Sequence, residues 1–237
     1  MKKADYGIDA PGVIRNLAIF GAIGFLLPVL LPVIHIGSLV IQTSGFVFMG
    51  ISCGGTALWM FLYSKYGKLR HRDRILGLVR WRGDEQVLDV GTGKGLMMIG
   101  AAKRLTTGKT IGIDVWNAED LTNNTLENAL ANTRIEGVNE KTEIRNENAM
   151  QMSFGEQTFD VIVSNLCLHN IYDAEGRKKA CQEIARVLKP GGIALISDFR
   201  HMKEYKQFFE QLGLKTELLS PSYLTTFPPL AILKFVK

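Results

Sequence analysis

The chain has 237 residues, 46% of them hydrophobic and 22% charged, with a formal net charge of +5. That length holds one or two ordinary domains, and so apolar a composition excludes a disordered chain. Its three cysteines, Cys53, Cys167 and Cys181, have neither disulfide-framework nor metal-ligand spacing, and no cluster of His, Cys and carboxylates points to a metal.

Residues 16–64 form a block of 49 positions without a single Asp, Glu, Lys or Arg. Two stretches, 13–34 and 45–63, each approach the ~20 residues a helix needs to cross ~30 Å of hydrocarbon. Ile36-Gly37-Ser38 and Gln42-Thr43-Ser44 supply polar, turn-prone residues between them. Residues 1–64 therefore read as a transmembrane helical hairpin. The alternative is a pair of apolar helices that cap a substrate pocket or form a dimer interface. Gly50-x-x-x-Gly54, with Gly55 and Ala57, makes a small-residue face, and Gly21, Ala22 and Gly24 provide a complement. Packing within the chain is expected ahead of a homo-oligomer, which the same face would also serve. Pro28 and Pro32 should kink the first helix or end it early. The long first run, the lack of a small-x-small cleavage site and the immediate second run argue against a signal peptide.

Residues 65–82 read as a basic juxtamembrane linker. Lys65, Lys68, Arg70, Arg72, Arg74, Arg80 and Arg82 face one acid, Asp73, giving +6, against +1 for residues 1–15 and −2 for 83–237. The basicity thus flanks the apolar block, which fits anionic lipid headgroups better than nucleic acid. An ordinary solvated basic linker is the bland alternative. The charge placement puts both ends, and the domain that follows, in the cytoplasm.

Val87-Leu88-Asp89-Val90 is strand-like, runs into Gly91-Thr92-Gly93-Lys94-Gly95 and leads to a helical segment, 96–105. Closely spaced glycines let a backbone turn sharply and bring its amides close to a ligand. A dinucleotide fingerprint would need glycine where Leu96 stands, and a P-loop would need Ser or Thr where Gly95 stands. Thr110-Ile111-Gly112-Ile113-Asp114 reads as the second strand. Its closing acid, about 20 residues beyond the glycine loop, is placed to bind ribose hydroxyls. A third strand, Thr142-Glu143-Ile144-Arg145-Asn146, precedes Glu147-Asn148-Ala149-Met150. A fourth, Phe159-Asp160-Val161-Ile162-Val163-Ser164-Asn165, and a helix-to-strand entry, Ile184-Ala185-Arg186-Val187-Leu188-Lys189-Pro190-Gly191-Gly192, follow. A helix over 202–212, ended by Gly213, then leads to strands over 214–220 and 230–236. This alternation argues for a doubly wound α/β sheet.

The run Asp-Val-Gly-Thr-Gly-Lys-Gly at 89–95 resembles motif I of the class I S-adenosylmethionine-dependent methyltransferases of small-molecule type. The later segments match that family's motifs in order, over residues 86–198. The resemblance implies a Rossmann-like seven-stranded sheet of order 3-2-1-4-5-7-6 in residues 83–237, behind the two apolar helices, with S-adenosyl-L-methionine as cofactor. It implies that Asp89, Gly91, Thr92, Gly93 and Gly95 shape the loop around the methionine moiety. Asp114 would bind the ribose with Val115 and Trp116 beside it, Asn148 and Ala149 would edge the adenine, and Asn165 would sit at the methionine end. Trp116 would stack on the base, or be a partly exposed loop aromatic. Many such enzymes carry a histidine after motif IV, as His169 does here; it suits a general base, or it packs below the cofactor or caps the next helix. Arg200, His201 and Tyr205 would rim the substrate opening, or be solvated surface. The Asn-Pro-Pro-Tyr-type motif of enzymes that methylate base or glutamine amino groups is replaced by Ser164-Asn165-Leu166. The expected function is a membrane-anchored methyltransferase acting on a small, lipophilic O, N or S nucleophile, without nucleic acid. The alternative is a membrane-tethered cofactor-binding module without turnover.

Overall fold

The charge-free block folds into two helices, α1 (Pro11–Leu30) and α2 (Phe46–Leu62), in a computed structural model that describes residues 3–117 and 119–237. A Cβ on Gly24 would lie 2.3 Å from the Gly50 nitrogen, and one on Gly21 would lie 2.8 Å from Gly54. The backbones therefore touch where only glycine lets them, and the reversed order of the two pairs makes the helices antiparallel. Both apolar helices are long enough to cross a membrane, and only 11% of each apolar window is buried.

Two details depart from the expected hairpin. The first helix ends at Leu30, before the expected residue 34, because Pro28 occupies its last turn and Pro32 stands just past its cap. The connection is a small β-hairpin rather than a turn-rich loop. β1 (Val33–Ile36) and β2 (Leu39–Gln42) pair antiparallel across Gly37-Ser38, with Gly37 at φ +61°. The β-branched residues Val33, Ile34, Val40 and Ile41 favour the extended form, and the glycine makes the tight turn.

The basic segment is not the linker its composition suggests. A π-helical turn, Tyr63–Gly67, carries α2 directly into α3 (Lys68–Leu76). Ile75 and Leu76 are fully buried against the sheet that follows. Lys68 is buried too, donating from Nζ to the carbonyls of Tyr6 (2.7 Å) and Gly7 (2.8 Å) beside Asp9. Arg72 pairs with Asp73 on its own helix, Asp73 also meets Arg104 further along the chain, and Arg82 pairs with Asp84 in the loop that follows, so part of this charge is met within the domain. Lys65 and Arg70 remain exposed near the end of α2.

Seven strands build the main sheet: β3 (Gln86–Val90), β4 (Lys109–Asp114), β5 (Thr142–Asn146), β6 (Phe159–Asn165), β7 (Leu188–Asp198), β8 (Lys215–Ser222) and β9 (Leu230–Val236). Their order is β5-β4-β3-β6-β7-β9-β8, which reads 3-2-1-4-5-7-6 when counted from this sheet's own first strand. β9 runs antiparallel to both neighbours, whereas the other pairings are parallel. Alternate residues of a strand face opposite sides. Val87 and Val163 thus pack under α3 and α4 (Leu96–Ala102), while Leu88 and Val90 join a core with α6 (Ala174–Val187) and α7 (Met202–Gln211). α5 (Leu126–Ile135) flanks β5. Tyr205 lies fully buried in the core with Phe209, so it cannot rim a substrate opening. Its place on the buried stripe of an amphipathic helix is the reason. With both faces covered, the carboxyl ends of the parallel strands form the open edge where such sheets bind ligands.

Candidate active site

Hydrogen bonds hold the glycine loop against the end of β4. The amides of Gly91 and Thr92 donate to the Ile113 carbonyl, and the amide of Gly93 donates to Asp114 Oδ2 at 2.7 Å. Asp114 Oδ1 accepts from the Trp116 amide at 2.7 Å, so this carboxylate fixes both rims of the cleft. A carboxylate oxygen has two lone pairs, which leaves each free to accept from a ribose hydroxyl. Gly91 sits at φ +75°, and a Cβ there would lie 2.2 Å from Cys167 Sγ. That contact brings the loop after β6 against the loop after β3 and leaves no room for a larger residue.

Asp89 lies beneath this loop, fully buried. Its Oδ2 accepts from Thr92 Oγ1 and from the Met98 amide, both at 2.8 Å, whereas Oδ1 has no partner among the described residues. Burial pushes its pKa up to about 7, against the opposing pull of those two hydrogen bonds. Asn165 Oδ1, Trp116 Nε1 and Asn124 Oδ1 are likewise buried without partners. Burial, and then the carboxylates of Asp114, Asp198, Asp89 and Asp120, push the Cys167 thiol well above its usual range. Cys167 is therefore a protonated thiol, not a nucleophile. The same carboxylates make the cleft a favourable place for a cation.

His169 lies in the loop after β6, and its partner is one that sequence reasoning missed. Asp198, the fully buried last residue of β7, receives His169 Nδ1 at 2.9 Å and the amides of His169 and Phe199. A carboxylate can only accept, so Nδ1 carries a proton, and in the neutral imidazole the lone pair is then on Nε2. Nε2 has no hydrogen-bond partner among the described residues. The Phe199 ring packs edge-on at 4.7 Å and braces the imidazole. The signal for Asp198 was the one used for Asp114, an acid closing a parallel strand. Next to it, Ser197 Oγ lies 2.7 Å from Nε2 of buried His71, tying α3 to this strand; burial lowers the pKa of His71 to about 4, keeping it neutral.

The remaining expected residues fall around this cleft in different ways. Val115 is exposed on the rim, and Trp116 is half-buried beside Asp114 with φ +60°. Asn148 Oδ1 accepts from the Met150 amide at 2.9 Å, so its side chain closes its own turn, while Ala149 is half-buried next to it. Arg200 is exposed, and His201 pairs with Glu204 at 3.1 Å.

The N-terminal segment adds a covering strap that composition did not reveal. Lys94 of the glycine loop, itself buried, reaches Asp5 at 2.8 Å. Asn132 of α5 exchanges bonds with the Asp5 backbone and donates to the Lys94 carbonyl. Further on, the Thr122 amide donates to the Ile8 carbonyl, and the Ala10 amide donates to the Asp120 carbonyl. Residues 4–10 thus run along the cleft from the glycine loop to the loop after β4.

S-Adenosylmethionine fits this cleft. Its ammonium and hydroxyl donors suit the orphaned oxygens of Asp89 and Asn165 and the spare lone pairs of Asp114, and its sulfonium charge suits the surrounding carboxylates.

The family model for a methyltransferase domain matches residues 82–222. An uncharacterized protein of Haemophilus influenzae is 35% identical over 115 residues, 48% of this chain and 43% of that protein. A demethylmenaquinone methyltransferase of Lactobacillus johnsonii is 31% identical over 124 residues, 51% of this chain and 46% of the relative. The chain therefore spans less than half the length of these relatives. A crystal structure of a SAM-dependent methyltransferase from Aquifex aeolicus superposes with a TM-score of 0.57 at 18% identity, covering 72% of this chain and 92% of that one. The domain match extends over more than half of the chain, and the cleft carries the corresponding groups: the chain belongs to the methyltransferase-domain family, with S-adenosylmethionine as its cofactor.

Proposed function

We propose that this protein is a membrane-anchored methyltransferase acting on a small lipophilic acceptor, with His169 as general base. The observation that carries the reading is the His169–Asp198 pair, set in a cofactor cleft on a domain that bears two largely unburied apolar helices. Apolar surface on that scale is costly in water and favourable in hydrocarbon.

S-Adenosylmethionine supplies an activated methyl group on a sulfonium. The chain's own residues do the rest. Asp89, Asp114 and Asn165 hold the cofactor's polar ends. Asp198 keeps the His169 proton on Nδ1, so that Nε2 can take a proton from an acceptor hydroxyl, thiol or ammonium as the nucleophile forms. The imidazolium produced is then stabilised by Asp198. Alignment of nucleophile and methyl supplies much of the rate, and the strap over residues 4–10 excludes water from the cofactor side.

Anchoring keeps such an acceptor at high local concentration. Phospholipid amines, quinone-like phenols and hydrophobic thiols fit these requirements, and the relative named for demethylmenaquinone favours the phenols. The test incubates the full chain in lipid nanodiscs with methyl-labelled cofactor and each acceptor class. Label in the organic phase that requires the chain supports the reading. Cofactor binding without transfer to any of them would favour the binding module.

A further inference from the structure

We infer that the carboxyl edge of the sheet rests in the headgroup layer of a bilayer, so that the acceptor enters the cleft from the membrane side without crossing bulk water. This rests on the anchored reading above and adds the direction from which substrate arrives.

Both connections to the apolar hairpin leave the domain at this edge. On one side, Ala10 is bonded to Asp120 in the loop after β4, and α1 begins at the next residue. On the other, α2, the π turn and α3 form one continuous helical path. The α3 end of that path packs down the sheet, with His71 against Ser197 near the end of β7 and Leu76 deep in the core. Followed back towards α2, the path must therefore rise beyond the carboxyl edge. Gly67, in the π turn, lies against the loop after β8, where a Cβ would be 3.2 Å from the Thr225 carbonyl. β8 runs parallel to β7, because β9 is antiparallel to both, so this loop shares the active-site edge.

The stand-off is short. Leu62 closes the apolar helix, and Lys68 is already bonded to Tyr6 and Gly7. At ~1.5 Å per residue the path between them is about 9 Å. The headgroup layer on each side of a bilayer is roughly 5–8 Å deep. The loop after β8 meets the path one residue sooner, at Gly67, about 7.5 Å from Leu62 and so within this layer.

The loops of this edge carry the side chains such a position favours. Tyr172 is 91% exposed in the loop that bears His169, and Leu224 is 83% exposed in the loop after β8. Val115, Phe199 and Tyr223 are exposed on the same edge. Aromatic rings suit the interface, and the exposed Lys65 and Arg70 on the path from α2 into α3 suit anionic headgroups. The bilayer is thus the occupant of this apolar collar, and an acceptor whose nucleophile lies at headgroup depth meets His169 there.

The test places photoreactive benzoylphenylalanine at position 224, 172 or 156 of the full chain in nanodiscs of phosphatidylcholine and phosphatidylglycerol. Glu156 is exposed in the turn before β6, at the opposite edge. Lipid adducts are measured by mass spectrometry, and alkaline extraction of the same chain from vesicles reports whether the hairpin is embedded. The expected result is at least tenfold more lipid adduct at 224 and 172 than at 156, in a chain that resists extraction. An embedded chain with equal, low adduct at all three positions overturns the orientation and leaves the anchored reading standing. Release of the chain by alkali removes the anchored reading and this inference together.

Discussion

Replacing Asp89 by asparagine should make the cofactor-free protein more stable above neutral pH while weakening its hold on the cofactor. Asp89 is fully buried, with a pKa pushed from 3.8 to about 7 by that burial. Below pH 4 the acid is protonated in both folded and unfolded chains. Between pH 4 and 7 the unfolded chain ionises first, so the folded state loses ~1.4 kcal/mol per pH unit and about 4 kcal/mol in all. The advantage of the variant vanishes at low pH, because a neutral acid and an amide are similar in size and bonding. The carboxamide oxygen can still accept from Thr92 and Met98, and its amino group takes the place of the unpartnered Oδ1. Thermal unfolding of the full chain in detergent, at each pH from 5 to 9, reads the gap between variant and wild type. It should be smallest at pH 5, widen to pH 7 and then level off with the variant ahead, by roughly 10 °C. Calorimetric titration with S-adenosylmethionine should show wild-type affinity rising as pH approaches 7, a trend the variant lacks. A stability gap independent of pH would refute the reasoning.

Asp198→Asn removes the carboxylate charge and adds an amide donor that can reverse the imidazole tautomer; turnover should fall by at least ~100-fold with cofactor affinity unchanged, measured by paired kinetic and binding assays. Gly24→Val would force apart helices that touch at Gly50; it should cost about 1–3 kcal/mol and lower the yield of folded chain, read by size-exclusion chromatography and thermal unfolding. Lys94→Ala frees the strap from the glycine loop, so amide hydrogens of residues 4–10 should exchange faster while those of β3 keep their protection.

The parallel sheet and its cofactor loop were legible because the signals are local. A strand ending in Asp89 or Asp114 must leave its acid at the carboxyl edge, and a glycine run must turn there. The charge-free block likewise announced two helices, and the glycine pairs announced their contact. What sequence hid was pairing over long range. Asp198 lies 29 residues from His169, and only adjacent parallel strands bring the two together. The strap could not be read either, because Asp5 and Asp9 look like ordinary flanking charges until Lys94 and Lys68 are placed against them. Residues 65–82 misled because a high density of Lys and Arg looks solvated. Their apolar members, Ile75 and Leu76, fall on one helical face and decide the packing. Tyr205 misled for a related reason, since its place just after β7 suggested a rim while its ring filled the core.

The most direct measurement compares wild type with His169→Ala in nanodiscs, following label from S-adenosylmethionine into a bilayer-borne phenol alongside cofactor affinity. The account predicts a fall in kcat of ~10²–10⁴ with affinity intact, steepest below the acceptor's own pKa. Equal kcat in the two proteins would contradict it.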